Sequence, residues 1–191
     1  MIQKTTRRRR RLNLRLLLPA ALLIILLVLI WQRWLPYWLY PTEYFDEIEI
    51  AAANAGIDPY LALAVAKVES NFQAEAISSA GAVGIMQLMP DTGAWLAEKG
   101  GYEFTEDIML TDPEYNVRQG CQYLRYLLEY WDWNVCLAVA SYNAGQTKVS
   151  AWLSDGVWDG TEANARQIPF DETRDYVRRV LAVYNEYHKL Y

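Results

Sequence analysis

Apolar residues form one long uninterrupted run near the N-terminus and shorter, mixed segments after it. No polar residue occurs between Leu16 and Trp31. With Leu14 included, and with the charged end of Arg15 reaching back to the surface, the run attains the roughly twenty residues that a helix needs to cross a bilayer. The pattern predicts a basic tail, a transmembrane helix and a juxtamembrane linker at residues 1–13, 14–35 and 36–43.

Charge predicts the direction of this helix. Residues 1–35 contain eight Lys or Arg and no acid, including an unbroken basic run from Arg7 to Arg11. Because basic flanks stay in the cytoplasm, we expect a single-pass protein of the cytoplasmic (inner) membrane with its N-terminus inside. A cleaved signal peptide is the main alternative, but Trp31 and Trp34 follow the run where a cleavage site needs small residues. A nucleic-acid-binding tail is another interpretation of the arginines.

The remaining residues, 44–191, are predicted to form one mainly α-helical domain. Asp58-Pro59 and Asp112-Pro113 each combine an N-capping residue with a proline suited to the first helical turn. Strand-like alternation is scarce, with room only for a small β-hairpin near residues 102–110. Helices are expected at residues 44–55, 59–70, 91–98, 113–130, 133–141, 146–153 and 172–190.

Composition narrows the function classes of this domain. Beyond residue 35 the chain has ten Lys or Arg against 23 Asp or Glu, a net charge of −13. A strongly acidic domain is a poor partner for nucleic acid. The single histidine, His188, and the lack of a phosphate-binding glycine motif predict neither a metal site nor a cofactor. Nothing in the sequence indicates a protein partner.

Two cysteines, Cys121 and Cys136, would lie in an oxidising compartment if the domain is exported. A helical hairpin that turns near Asp132 would place Cys121 roughly 10 Å from the position facing Cys136, beyond the reach of a disulfide. Two buried free thiols are therefore favoured over a disulfide.

The chain's best candidate for chemistry is Glu69, at the end of an apolar helical segment that begins at Pro59. A carboxyl group at the rim of an apolar core is disfavoured as an anion, so its pKa rises. A carboxyl still protonated near neutral pH can act as a general acid. Gly81 and Gly84 follow in a loop, where they would let the backbone approach a bulky ligand.

Three further clusters contain groups that suit a carbohydrate. Gln87 is an amide flanked by Met86 and Met89, and residues 141–145 read Ser-Tyr-Asn-Ala-Gly at the end of a predicted helix. Residues 169–177 read Pro-Phe-Asp-Glu-Thr-Arg-Asp-Tyr-Val at the start of the last helix. Amides, a phenol, thioethers and one acid match the hydroxyl groups, acetamido groups and apolar ring faces of sugars.

Together these motifs resemble the catalytic domain of bacterial lytic transglycosylases of the soluble type, which share the goose-type lysozyme fold. The resemblance covers about residues 51–191. It rests on four motifs in the family's order, namely Glu69-Ser70, the segment from Gly81 to Pro90, the segment from Tyr142 to Gly145, and the segment from Glu172 to Val177. Ile85 and Ser141 depart from the commoner leucine and alanine but keep approximate size.

The resemblance implies a role for eight residues. Glu69 matches the family's single catalytic acid/base, and Tyr142 a tyrosine whose hydroxyl lies near that acid. Substrate binding is implied for Ser70, Ser78, Gln87, Met89, Tyr142, Asn143 and Glu172.

The implied reaction cuts the β-1,4 bond between N-acetylmuramic acid and N-acetylglucosamine in peptidoglycan and forms a 1,6-anhydro ring without water. Ordinary glycosidases need two carboxylates, so a site with one is the distinguishing feature. A hydrolysing muramidase and a non-catalytic peptidoglycan-binding module are the alternatives.

Each of these residues also has a purely structural interpretation. Met86 and Met89 are typical of core packing, Ser78 of a loop, and Tyr142 of a core tyrosine. Glu172 suits the first turn of a helix, where a negative charge is stabilised. Several tryptophans are candidates for sugar stacking, and Trp158, in a Gly- and Asp-rich stretch, is expected to be the most exposed of them.

Overall fold

The computed structural model describes residues 14–191, with all side chains except those of residues 14–18, 20 and 110. The predicted basic tail, 1–13, lies outside the described residues. The chain divides into two compact units, one ending at Pro41 and the other spanning Thr42–Tyr191.

The first unit contains one helix, α1 (Leu14–Leu39), with Pro19 and Pro36 inside it. Its segment Ala21–Leu39 is long and apolar enough to cross a membrane, judged by length and composition alone. The helix continues through Pro36, so residues 36–39, predicted to begin the linker, are helical.

The second unit is a helical domain, as predicted. Its elements are α2 (Phe45–Ala55), α3 (Pro59–Ser70), α4 (Pro90–Gly100), α5 (Glu106–Thr111), α6 (Pro113–Tyr130), α7 (Val135–Ala144), α8 (Gln146–Ser154), a 3-10 turn (Ala165–Gln167) and α9 (Asp171–Leu190).

Both predicted aspartate caps are present. The Asp58 carboxylate accepts a hydrogen bond from the backbone N–H of Tyr60 at 2.8 Å, and the Asp112 carboxylate accepts one from Tyr115 at 3.0 Å. Each satisfies a donor that the first helical turn would leave unpaired. These caps fix where α3 and α6 begin.

The core forms where α6, α7 and α9 pack on their neighbours. α2 packs against α6, α3 packs against α9, and α7 contacts α6, α8 and α9. α7 is central, because residues 136–141 are all buried. α3 is buried from Leu61 to Ala66, so its C-terminal end emerges from the core at Glu69.

The predicted β-hairpin near residues 102–110 is wrong, because α5 occupies most of this segment. Thr105 caps α5 by accepting a hydrogen bond from the Ile108 N–H at 3.1 Å, and Glu106 and Asp107 favour its first turn. The β-pairing described in residues 14–191 consists of isolated bridges from Val83 to Ile77 and to Leu88.

The two cysteines are free and buried, as the hairpin geometry predicts. Burial raises the pKa of each thiol to about 12. The expected exposure of Trp158 is wrong, because this residue is only 1% exposed. Its indole N–H donates to the carbonyl oxygen of Thr161 at 3.1 Å, so the loop folds over the ring.

Candidate active site

Glu69 lies in the last turn of α3. Asn71 ends the helix in the left-handed conformation, with φ of 51°. The C-terminal end of a helix carries partial negative charge, which disfavours a carboxylate there. Position and burial therefore both favour the protonated form of Glu69.

The Glu69 carboxyl accepts a hydrogen bond from the hydroxyl of Tyr176, with 2.6 Å between the oxygens. Burial raises the pKa of Glu69 to about 7, an effect that the Tyr176 hydrogen bond and the charge of Arg179 oppose. The negative charge of Glu172 raises this pKa further. The outcome is a carboxyl that can hold or release its proton near neutral pH.

The loop between α3 and α4 is attached directly to the end of α3. The Ser70 hydroxyl, next to Glu69, donates to the carbonyl oxygen of Ile85 at 2.8 Å. Ser70 is buried, so its hydroxyl links the helix to the loop.

Asn116, on α6, makes side-chain hydrogen bonds to the backbone of the same loop. Its side-chain oxygen accepts from the Met86 N–H at 2.8 Å, and its amide nitrogen donates to the carbonyl oxygens of Val83 and Met109 at 3.0 and 3.2 Å. Gly84 makes room for this amide, because a Cβ there would lie 2.3 Å from the Asn116 nitrogen. The group that lies close to Gly84 is therefore the Asn116 side chain, in the place where the sequence predicted a ligand.

Other predicted binding residues also shape the loop. Gln87 has a φ of 47°, and its amide nitrogen donates to the carbonyl oxygens of Ala76 and Gly84 at 3.0 and 2.9 Å. The Ser78 hydroxyl accepts from the Ala82 N–H at 3.0 Å. Met86 is fully buried, whereas Met89 is 43% exposed. Met89 is thus the methionine available to a ligand.

Tyr142, on α7, joins that helix to the loop. Its hydroxyl donates to the carbonyl oxygen of Met86 at 2.8 Å. Burial and the nearby charge of Glu69 raise its pKa well above the usual value, so it stays a neutral phenol. The phenol that hydrogen-bonds Glu69 is Tyr176, with Tyr142 close enough for the carboxylate charge to act on it.

Asn143 and Glu172 lie together beside this centre. The Asn143 side-chain oxygen accepts a hydrogen bond from the hydroxyl of Thr173 at 2.7 Å, which ties α7 to the start of α9. A cavity of about 450 Å³ opens here and is named the Glu172 cavity. Its lining residues are Asn143, Ala144, Lys148, Pro169, Phe170, Asp171, Glu172 and Thr173.

A second cavity, of about 410 Å³, opens beside α4 and is named the Trp95 cavity. Its lining residues are Asp91, Thr92, Trp95, Tyr123, Tyr126, Gly145, Gln146 and Thr147. Sequence reasoning assigned no role to most of these residues.

Three contributors to the site were missed from the sequence. Tyr176 lies in the segment from Glu172 to Val177, four residues after Glu172, and this helical spacing places both residues on the same face of α9. Thr173 stood beside it in the same motif. The position of Asn116 gave no such signal in the sequence, because a polar residue on an amphipathic helix is usually exposed. Within residues 14–191, no cluster of three or more His, Cys, Asp or Glu is arranged to hold a metal ion.

Comparison with known proteins places this geometry in context. Residues 46–164 match the family described as Transglycosylase SLT domain. The chain is 34% identical over 155 residues to the soluble lytic murein transglycosylase of Escherichia coli strain K12, covering 80% of this chain and 24% of that protein. It is 26% identical over 169 residues to the membrane-bound lytic murein transglycosylase C of Edwardsiella ictaluri, covering 78% and 47%.

Among solved structures, the chain resembles an inactive mutant of the lytic transglycosylase Slt from Pseudomonas aeruginosa, in which a glutamate is replaced by glutamine. The TM-score is 0.71 at 33% identity, over 79% of this chain and 25% of that one. The likeness confirms the predicted lytic transglycosylase fold. The chain spans about a quarter of the length of the Escherichia coli relative.

Proposed function

Because the chain belongs to the transglycosylase SLT family, we propose that it is a membrane-anchored lytic transglycosylase that cleaves peptidoglycan. The scissile bond is the β-1,4 link between N-acetylmuramic acid and N-acetylglucosamine, and the product carries a 1,6-anhydromuramic end. The observation that carries the proposal is the Glu69 carboxyl, whose pKa burial raises to about 7 and which accepts a hydrogen bond from Tyr176.

In the first step, Glu69 donates its proton to the glycosidic oxygen as the bond from that oxygen to C1 of the muramic residue breaks. The acetamido oxygen of the same residue attacks C1 and takes the place of a protein nucleophile. A free alcohol leaves on N-acetylglucosamine, and Glu69 is now a carboxylate. Its raised pKa makes it a good acid here and a competent base afterwards.

In the second step, the Glu69 carboxylate takes the proton of the C6 hydroxyl while O6 attacks C1. The acetamido group is released, the 1,6-anhydro ring closes, and Glu69 regains the proton for the next cycle. The hydrogen bond from Tyr176 to Glu69 fixes the direction of the carboxyl through both steps. No water is consumed.

The remaining predicted residues are assigned to the substrate and to the loop that meets it. Met89 offers an exposed thioether to a sugar face. Glu172 lines the Glu172 cavity, and its negative charge raises the pKa of Glu69. Ser70, Ser78 and Gln87 fix the loop backbone. Tyr142 joins α7 to the same loop, and Asn143 joins α7 to the start of α9. The inactive glutamate-to-glutamine mutant of the Pseudomonas relative supports one essential glutamate.

Membrane anchoring through residues 14–35 is part of the proposal. It is supported by the apolar segment Ala21–Leu39 and by a relative described as membrane-bound. The basic residues before α1 favour a cytoplasmic N-terminus and an extracytoplasmic catalytic domain. A reporter active only outside the cytoplasm, fused after Tyr191, should give signal. A reporter that is expressed but silent would reverse the orientation.

The products of digestion test the reaction. Purified peptidoglycan is incubated with the full chain in detergent, and the released muropeptides are weighed by mass spectrometry, with Glu69→Gln as the control. We expect anhydro products that the control does not release. Products heavier by one water would identify a hydrolysing muramidase, and no cleavage by the unmodified chain would favour a binding module.

A further inference from the structure

Another cavity, of about 280 Å³, lies between α4 and the second half of α6 and is named the Lys99 cavity. Its lining residues are Trp95, Leu96, Lys99, Gly100, Gln122, Arg125, Tyr126 and Glu129. None of the residues to which the family resemblance assigns a role lines it. Another molecule can therefore occupy this cavity while Glu69 stays accessible.

Two cations lie over aromatic rings at the Lys99 cavity. The Lys99 ammonium lies 5.1 Å from the centre of the Trp95 ring and 4.8 Å from that of Tyr126. The Arg125 guanidinium lies 4.7 Å from the centre of the Trp133 ring. Such cation–π contacts orient both partners. Exposed Trp, Tyr and Arg side chains held in this way are typical of protein–protein interfaces.

Arg125 also connects the Lys99 cavity to α2. Its Nη1 donates to the carbonyl oxygens of Ala55 and Gly56 at 3.1 and 3.3 Å, and its Nη2 donates to the Glu129 carboxylate at 2.7 Å. The carbonyl groups at the C-terminal end of a helix need such external donors. The edge of the cavity therefore adjoins the end of α2.

Trp133 lies on the surface in an uncommon backbone conformation. Asp132 and Trp133 have φ values of 48° and 63°, in the left-handed region that bulky residues rarely adopt. The indole is nevertheless 51% exposed. A costly conformation that presents a large aromatic ring to solvent is typical of a residue with a functional contact.

The Lys99 cavity has a positive balance of charge in an acidic protein. Its charged lining residues are Lys99, Arg125 and Glu129, and Glu129 forms an ion pair with Arg125. Lys99 has no ion-pair partner within residues 14–191. Beyond residue 35 the chain has a net charge of −13. The cavity therefore complements an acidic surface.

The exposed face of α2 has the complementary chemistry. Ile50 is 63% exposed, and Asp46 and Glu47 lie four and three positions before it on the same helical face. Glu49, beside Ile50, is also exposed. α2 contains no basic residue, and its three acids have no ion-pair partner in the described part of the chain. This face offers one apolar side chain surrounded by carboxylates.

We propose that this face of α2 docks in the Lys99 cavity of a second copy of the chain, so that the protein forms a two-fold symmetric dimer. Ile50 enters the cavity, and Glu49 approaches Lys99 of the partner subunit. A cavity of about 150 Å³ already accepts a benzene-sized group, so about 280 Å³ has room for an isoleucine side chain. The contact is a helix laid in a groove.

The fold allows both halves of this contact to form at once. Arg125 lines the Lys99 cavity and bonds the end of α2, so the cavity and the docking helix are neighbours on the domain. Around a two-fold axis, each copy gives one α2 face and receives the other, which closes the assembly at two copies. The dimer does not depend on the proposed reaction.

Reversal of charge tests the interface. Sedimentation equilibrium of the full chain in density-matched detergent should show a monomer–dimer equilibrium. Glu49→Lys and Lys99→Glu should each weaken the dimer at least about tenfold, because each places like charges opposite one another. The double variant should restore most of the affinity. A monomer at every concentration, or a double variant no tighter than the single ones, overturns the inference.

A matched pair of isoleucines tests the apolar anchor. Ile50→Ser should weaken the dimer about tenfold through lost burial. Ile77→Ser is the control, because Ile77 is 64% exposed and lies outside α2 and the Lys99 cavity. Equal effects of the two replacements contradict the assigned role of Ile50. Both residues are at the surface, so the melting temperature of each variant should stay close to that of the unmodified chain.

Cross-linking tests which surfaces meet. Gln122 is exposed and lines the Lys99 cavity. A chain with Ile50→Cys and Gln122→Cys should form disulfide-linked dimers under mild oxidation, whereas Ile77→Cys with Gln122→Cys should not. The native cysteines are buried. Equal cross-linking of both pairs shows that another surface forms the dimer.

The proposed reaction and the dimer fail in different ways. If digestion yields anhydro products but the unmodified chain is a monomer, only the dimer is wrong. If the charge-reversed pair restores the dimer but the products contain an added water, the dimer stands and the reaction is wrong.

Discussion

The hydroxyl of Tyr176 donates to the carboxyl of Glu69 across 2.6 Å, although the two residues lie 107 positions apart in the chain. The contact joins the end of α3 to the first half of α9. It opposes the effect of burial, which raises the pKa of Glu69 to about 7. The contact therefore sets how strong an acid Glu69 is, as well as where it points.

Replacing Tyr176 by phenylalanine should shift the pH dependence of cleavage to higher pH. The hydrogen bond lowers the pKa of Glu69, so its loss raises that pKa above the present value of about 7. Glu69 then stays protonated to higher pH, and the fall in activity on the alkaline side begins later. The measurement is the rate of peptidoglycan solubilisation by the full chain across pH.

A matched control is available on the same helix. Tyr184 also donates to a carboxylate, that of Asp58 at 2.8 Å, at the opposite end of α9. Tyr184→Phe should leave the alkaline limb where it is in the unmodified protein. If the alkaline fall in activity moves to lower pH in Tyr176→Phe, Tyr176 does not stabilise the Glu69 anion.

Glu69→Gln should stabilise the fold at alkaline pH. Because the pKa rises from 4.5 to about 7 on folding, the native state binds this proton more tightly than the unfolded state. Stability is therefore lost as pH rises from 4.5 through 7, by roughly 3 kcal/mol. Glutamine cannot ionise, so the variant should match the unmodified protein near pH 4 and exceed it at pH 8.

Thermal unfolding of the full chain in detergent at both pH values checks this difference. Glu98→Gln, which replaces an exposed glutamate on α4, is the control and should have little effect. A Glu69→Gln variant that is no more stable than the unmodified protein at pH 8 would mean that the buried carboxylate carries no cost.

Asn116→Asp should destabilise the loop that adjoins Glu69. The replacement keeps the size of the side chain but removes the amide nitrogen that donates to the Val83 and Met109 carbonyl oxygens. A buried carboxyl group then faces these two carbonyl oxygens. We expect a loss of roughly 3 kcal/mol in the free energy of unfolding. The observable is the melting temperature of the full chain.

The control replaces an asparagine with an exposed contact. Asn164 donates to the Asp159 carboxylate at 2.7 Å at the surface, so Asn164→Asp should cost less than about 1 kcal/mol. Similar losses from the two variants would show that Asn116 does not hold the loop.

Local signals in the sequence predicted much of this fold. The Asp-Pro pairs specify helix starts through short-range hydrogen bonds, so α3 and α6 begin where expected. The apolar run before Glu69 predicted that its carboxyl would lie at the edge of the core. These features depend on neighbours within a few residues, which a sequence displays directly.

Contacts between residues far apart in the chain could not be predicted from such local signals. Ser70 and Gln87 donate to backbone carbonyl groups of the loop, and a sequence does not reveal which carbonyl oxygens fold back on them. Trp158 lies in a segment rich in Gly and Asp, yet its own loop buries it. The hairpin expected near residue 102 is replaced by α5, because the cap at Thr105 outweighs weak strand propensity.

Titration of the Glu69 carboxyl tests the central claim most directly. Glutamate side chains are labelled with carbon-13, and the resonance that disappears in Glu69→Gln is assigned to Glu69 and followed across pH in the full chain. A midpoint near 7 is the predicted result. A midpoint near 4.5 would mean that the carboxyl is fully ionised at neutral pH, and the acid assigned to the first step would be absent.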